Sequence, residues 1–144
     1  MAISIEIFNS AKQYLWDGTL DLDTNTIKLA LVLDTYTKDL TDTIWSEIST
    51  YEVATGDGYT TGGTTLAGSD VTHSGTVSTW NATDVTFTAL TKTFMFGVLY
   101  AVGTLNGVVN PLIAIVLFNT TPANVSVSTT DYVVTWNVSG LMTY

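Results

Sequence analysis

The sequence predicts a mainly β protein: a single-domain β-sandwich or β-barrel-like fold of seven or eight strands, with one or two short helices near the N-terminus. Three observations carry that reading. Thr occupies 28 of 144 positions, and β-branched side chains suit a pleated surface better than a helix. From Tyr51 onward, Gly56, Gly58, Gly62, Gly63, Gly68 and Gly75 cut the chain into Thr-rich pieces too short for helices. Two continuous apolar runs, Phe94–Val102 and Leu112–Phe118, have the pattern of strands covered on both faces.

The elements follow in order. Ile7, Phe8, Ala11, Tyr14 and Leu15 recur at the spacing of one helical face, with Asn9 or Ser10 as cap and Gly18 as stop. The Asx-rich turn Asp21–Asn25 leads into a strand over Ile27–Leu33. A second short helix is expected around Thr41–Ser49, capped by Thr41 or Asp42, with Ile44, Trp45 and Ile48 on one face. Val85–Ala89 alternates apolar and polar as a half-buried strand does. Asn106-Gly107 marks a hairpin turn between the two apolar runs. A last strand spans Tyr132–Val138, its even positions forming an aromatic and β-branched face. No linker interrupts the chain, so residues 1–144 read as one domain: an N-terminal arm and helix over 1–20, then a β-core over 26–144.

Composition excludes several chemistries. The chain has no Cys, one His (His73), no Arg and four Lys (Lys12, Lys28, Lys38, Lys92) against 13 carboxylates, for a net charge of -9. Phosphate backbones need clustered cations, so nucleic acid is not an expected partner. Thiolate and multi-His metal sites lack their ligands, and neither a catalytic residue nor a cofactor is expected. Met1–Phe8 carries Glu6 and no basic residue, unlike a signal peptide. The longest apolar stretches fall short of the ~20 residues a membrane-spanning helix needs. Sequons at Asn81, Asn119, Asn124 and Asn137 follow from the Thr content. Charged residues are only 12% and hydrophobic residues 46%, where an ordinary domain is about one quarter charged. Such a chain is expected to bury surface against neighbours and to self-associate. Its acids are concentrated in residues 1–70, which hold eleven carboxylates and three Lys.

Three constellations have a functional reading and a plainer one. Asp21-x-Asp23-x-Asn25 opens like a calcium loop, but Thr26 stands where Gly is needed and Val32 where a bidentate Glu belongs, which favours a simple turn. Gly56-Asp57-Gly58-Tyr59 with Gly62-Gly63 lacks the following helix of a dinucleotide loop and the Lys of a phosphate loop; a surface loop carrying exposed Tyr59 is expected. Asp70, His73 and Ser74 are neighbours in sequence, not a triad geometry. The four Trp read mostly as core anchors; Trp80, next to a turn, is either that or instead a candidate interface residue. Exposed Tyr59 is a further candidate interface residue, as are Ile3, Ile5, Ile7 and Phe8, an apolar arm packing on a neighbour, whose removal is expected to cost assembly more than folding.

The order "DLDTNTIKLALV", "YEVATGDGYTTGG", "TWNATDVTF", "GVLYAVG", "NPLIAIVLF" and "YVVTWNVSGLMTY" resembles a family of small structural proteins from the head and tail gene clusters of tailed bacteriophages. The resemblance covers residues 7–142 and is most specific over Tyr51–Gly63, Asn110–Phe118 and Trp136–Leu141. Ala54-Thr55, Asp57 between its glycines, and Leu105-Asn106 depart from it. It implies a non-enzymatic virion protein made in the host bacterial cytoplasm. The leading expectation is a capsid decoration or cement protein whose partners are the major capsid protein and its own copies, a trimer by analogy. A head-fibre base, connector or tail protein is the alternative, and a carbohydrate-binding module a third reading.

Overall fold

A computed structural model describes residues 3–119 and 121–143. Strand β1 (Ser4–Ile7) leads straight into helix α1 (Asn9–Trp16), and β2 (Ile27–Val32) follows the Asp21–Asn25 turn. Two single 3-10 turns, Trp45–Glu47 and Ser49–Tyr51, come before β3 (Thr64–Thr65). A hairpin of β4 (Asp70–Ser74) and β5 (Val77–Asn81) precedes the long β6 (Val85–Phe94), which Met95 alone separates from β7 (Phe96–Ala101). The two-residue strands β8 (Thr104–Leu105) and β9 (Val108–Val109), then β10 (Leu112–Leu117), β11 (Val125–Val134) and β12 (Met142–Thr143), complete the order.

The centre is a five-stranded sheet in the order β1-β10-β7-β2-β3, with every neighbouring pair antiparallel. All six residues of β7 and all six of β10 are buried, because these strands lie inside the sheet and are covered on both faces. The continuous apolar runs in the sequence record that double coverage. Strands β6 and β11 form a ten-residue ribbon that buries Val85, Phe87, Leu90 and Phe94 from one strand, and Val125, Val127 and Val134 from the other. Aromatic edges join ribbon to core: Phe94, Phe118 and Tyr132 meet at centroid distances of 5.2, 5.3 and 5.9 Å. A three-stranded sheet, β12-β5-β4, completes the fold.

Mainly β architecture is what the sequence predicts, but twelve strands are present among the described residues and the sheets close into no barrel. The surplus is mostly two-residue strands such as β3, β8, β9 and β12, too short to leave any alternation in the sequence. Helix α1 starts after Phe8, whose extended backbone occupies the cap position with no side-chain cap. It buries Ala11, half-buries Tyr14 and Leu15, and stops before Gly18 at φ +79°. The expected second helix is instead the pair of 3-10 turns. Glu47 reaches back to accept the amides of Thr43 and Ile44, so Glu47, and not Thr41 or Asp42, satisfies the free donors. Trp45 and Ile48 face inward as expected, Trp45 lying flat on Tyr100 at 4.7 Å. Asn106-Gly107 does turn a hairpin, between β8 and β9. The last long strand is β11, which begins at Val125 and ends at Val134; Val138 stands fully in solvent.

The N-terminal arm is a correction. Met1 and Ala2 lie outside the described residues, but Ser4–Ile7 pair with Leu117–Ala114 of β10 along their whole length. Phe8 is fully buried and its N–H donates to the Ile113 carbonyl at 3.1 Å. This segment is the edge strand of the main sheet. Removing it takes away the edge partner of the apolar β10, so its loss is expected to cost folding.

Candidate functional site

The Asp21–Asn25 turn spends its oxygens on its own backbone. Asp21 Oδ1 accepts the amides of Asp23 (3.0 Å) and Thr24 (3.3 Å), and Asn25 Oδ1 accepts the amide of Asp21 at 2.8 Å. Hydrogen bonds from the Thr24 side chain and the Asp23 amide hold the Asp21 carboxyl below its usual range. Asp23 reaches across to the Val71 amide at 2.7 Å, tying the turn to β4 and closing part of that strand's free edge. The geometry is that of an Asx turn.

Tyr51–Gly63 is a strap packed down on the sheets. Tyr59 is 3% exposed, not the exposed aromatic of a surface loop. Its hydroxyl accepts the Leu31 amide at 3.1 Å and donates to Glu52 Oε1 at 2.7 Å, and its ring lies 5.9 Å from Phe87. Glu52 Oε1 also accepts the Gly62 amide at 2.6 Å, while the Tyr100 hydroxyl donates to the Gly62 carbonyl at 2.7 Å. Burial pushes the Tyr59 hydroxyl well above its usual pKa and that of Tyr100 up to about 12. The glycines serve close approach: a Cβ on Gly58 would lie 2.6 Å from the Thr88 carbonyl oxygen, and one on Gly63 would run into that of Leu29. The motif locks a loop onto β2 and β6, and its polar groups face one another instead of a ligand.

Asp70, His73 and Ser74 stand exposed on β4, where successive side chains alternate between faces. Asp70 lies opposite Asn81 and His73 opposite Ser78, so the three do not converge.

Of the candidate interface residues, Phe8 and Tyr59 are core residues of the protomer, which corrects both readings. Ile5 and Ile7 are half-buried in edge strand β1, and Ile3 is half-buried just before it. Trp80 is 2% exposed, anchored by its indole N–H to Ser69 Oγ at 2.8 Å. It is a core anchor of the protomer, and it also lines a groove.

That groove has a volume of about 530 Å³ and lies between α1 and the β12-β5-β4 sheet. Leu15, Trp16, Leu22, Val71, Trp80 and Met142 make it apolar, with Lys12 at its rim. Trp16 is 92% exposed, which overturns its reading as a core anchor. The helical spacing held the signal: at 100° per residue, Trp16 sits roughly 130° from the centre of the stripe formed by Phe8, Ala11, Tyr14 and Leu15. Trp45, Trp80 and Trp136 are buried as expected.

Fold and surface together define a mainly β protein with one continuous hydrophobic core and an open apolar groove beside its helix. The chain matches no family model, and no curated protein or solved structure matches it. Among the described residues no helix is long and apolar enough to cross a membrane.

Proposed function

We propose that this chain is a non-enzymatic structural protein of a tailed-bacteriophage virion, a capsid decoration or cement protein that binds the outer shell and stabilises it. The observation that carries the reading is the make-up of its surface. Only 12% of its residues are charged, and the described residues leave Trp16, Val71, Val77, Val102, Val109, Val133 and Val138 exposed. Apolar surface gathered in one place, as Trp16 and Val71 are at the groove, marks contact with other proteins. The major capsid protein and further copies of the chain are the partners. The eleven carboxylates of residues 1–70 give the approach to a basic shell its electrostatic steering, which salt weakens. The sugar-binding reading has less support, because the groove is chiefly apolar where a glycan needs converging polar groups.

The test is quantitative mass spectrometry of purified particles, followed by adding the protein to undecorated ones. A copy number in fixed ratio to the capsid protein, with heat resistance restored on binding, is the expected result. A handful of copies per particle moves the protein to the tail or portal, and absence from particles overturns the reading.

A further inference from the structure

We propose that Asn106 is a self-modification site: opening of the β8–β9 turn lets its side-chain amide cyclise onto the backbone nitrogen of Gly107 and hydrolyse to aspartate and isoaspartate. Of the eight Asn in the chain only Asn106 is followed by Gly, and Asn110 is followed by Pro111, which has no N–H to react. Asn106 and Gly107 are both exposed, and nothing beyond its chain neighbours lies within 4 Å of a Cβ built on Gly107. Among the described residues the Gly107 amide makes no hydrogen bond. The attacking nitrogen and the amide it attacks are therefore open to solvent.

The step needs only water. Gly107 gives its amide proton to solvent base, its nitrogen bonds to Asn106 Cγ, and the Cγ–Nδ2 bond breaks as Nδ2 takes up a proton and leaves as ammonia. Water then opens the succinimide. Breaking the bond between the Gly107 nitrogen and Cγ leaves aspartate; breaking its bond to the α-carbonyl carbon leaves isoaspartate, with the main chain rerouted through the side chain. Either product adds a negative charge, and isoaspartate lengthens the turn by a methylene.

The fold gates this chemistry. Asn106 at φ +48° and Gly107 at φ +83° form the type I′ turn of the hairpin. Such a turn holds the Gly107 nitrogen nearly opposite Cβ across the Cα–C bond of Asn106, so ring closure requires the turn to open. Asn106 Nδ2 also donates to Oγ1 of the buried Thr19 at 3.2 Å, tying the hairpin tip to the segment after α1. The hairpin base is closed by the Gly103 amide on Asn110 Oδ1 and the Asn110 amide on the Gly103 carbonyl, both at 2.7 Å. Between base and tip lie only the two-residue strands β8 and β9, outside the main sheet. A hairpin that short opens locally at small cost.

The experiment incubates the full chain in mildly alkaline buffer and maps its peptides by mass spectrometry, with fragmentation that separates aspartate from isoaspartate. Expected is conversion at Asn106 ahead of every other Asn, faster as the pH rises and slower than in the urea-unfolded chain. Thr19→Val should speed it about fivefold, the rate equivalent of one hydrogen bond. Thr19→Ser, which keeps the accepting oxygen, should convert at the native rate, and circular dichroism melts of both variants check their fold. Asn106→Gln, whose longer side chain closes the ring poorly, should abolish the conversion. A chain in which Asn106 does not convert, or in which another Asn converts first, overturns the proposal. So does a folded chain that converts as fast as the unfolded one, or a folded Thr19→Val that converts at the native rate.

Discussion

Gly63 and Gly75 share a left-handed backbone, at φ +83° and +61°, in different surroundings. Nothing lies within 4 Å of a Cβ built on Gly75, at the tip of the β4–β5 hairpin, whereas one on Gly63 collides with the Leu29 backbone inside the main sheet. Gly75→Ala therefore meets only conformational strain, about 1 kcal/mol. Gly63→Ala adds an overlap with backbone that cannot swing away, and about 3 kcal/mol or more is expected. Urea denaturation of the two variants should give that order, and equal losses would contradict the packing of the strap. Tyr59 belongs to the same lock: its hydroxyl serves both the Leu31 amide and Glu52, so this tyrosine is spent on the fold and is not available to a partner.

At the scale of elements, the segment before the two 3-10 turns depends on one carboxylate. Glu47 accepts the Thr43 and Ile44 amides, and those bonds hold its carboxyl below its ordinary value of 4.5. A depressed acid contributes stability above its unfolded pKa and loses it as the pH falls through the folded one. The penalty for Glu47→Ala is therefore expected to be full at about pH 7, on the order of 1 kcal/mol as for other lost caps, and to shrink below about pH 4. Melting both proteins across that range checks it; a penalty constant with pH would mean packing, not the carboxylate, holds the segment. The β6–β11 ribbon depends on a different device. Its register shifts twice, around Ala89 at φ +49° and Thr129 at φ +50°. The Thr129 amide is held by Thr91 Oγ1 at 2.8 Å and the Ala89 amide by Asp131 at 2.9 Å. Paired bulges of this kind bend a ribbon.

For the whole molecule, the tyrosines couple the fold to alkaline pH. Burial raises Tyr36, Tyr59, Tyr100 and Tyr132 above the usual value of 10.0. A raised pKa means the folded state favours the neutral phenol. The stability from these groups is complete below the unfolded value, and it falls as the pH climbs past 10.0 toward the folded values, about 12 for Tyr100. Tyrosinate absorbance from these residues should therefore appear together with loss of the β-sheet circular dichroism signal. Ionisation with the sheet signal intact would show that they are open to water. Acidic composition acts at this scale too: a net charge of -9 keeps copies apart at long range, and any association has to be driven by close apolar contact.

What the sequence determines by itself is whatever depends on near neighbours. The doubly covered strands β7 and β10, the alternation of Val85–Ala89, the Asx turn at Asp21 and the Asn106-Gly107 hairpin are all legible, because period and turn chemistry act over a few residues. Tertiary structure alone decides which surface each element shows. Met1–Phe8 reads as a free arm until pairing with β10, more than a hundred residues away, makes Ser4–Ile7 an edge strand. Tyr59 reads as exposed until Glu52 and Leu31 close over it, and Trp80 reads as anchor or interface alike, whereas the helical spacing already turns Trp16 outward. The β12-β5-β4 sheet buries one of these indoles, while α1 turns the other outward at the rim of the groove. Burial is set by long-range pairing, and no local pattern carries the position of a partner strand.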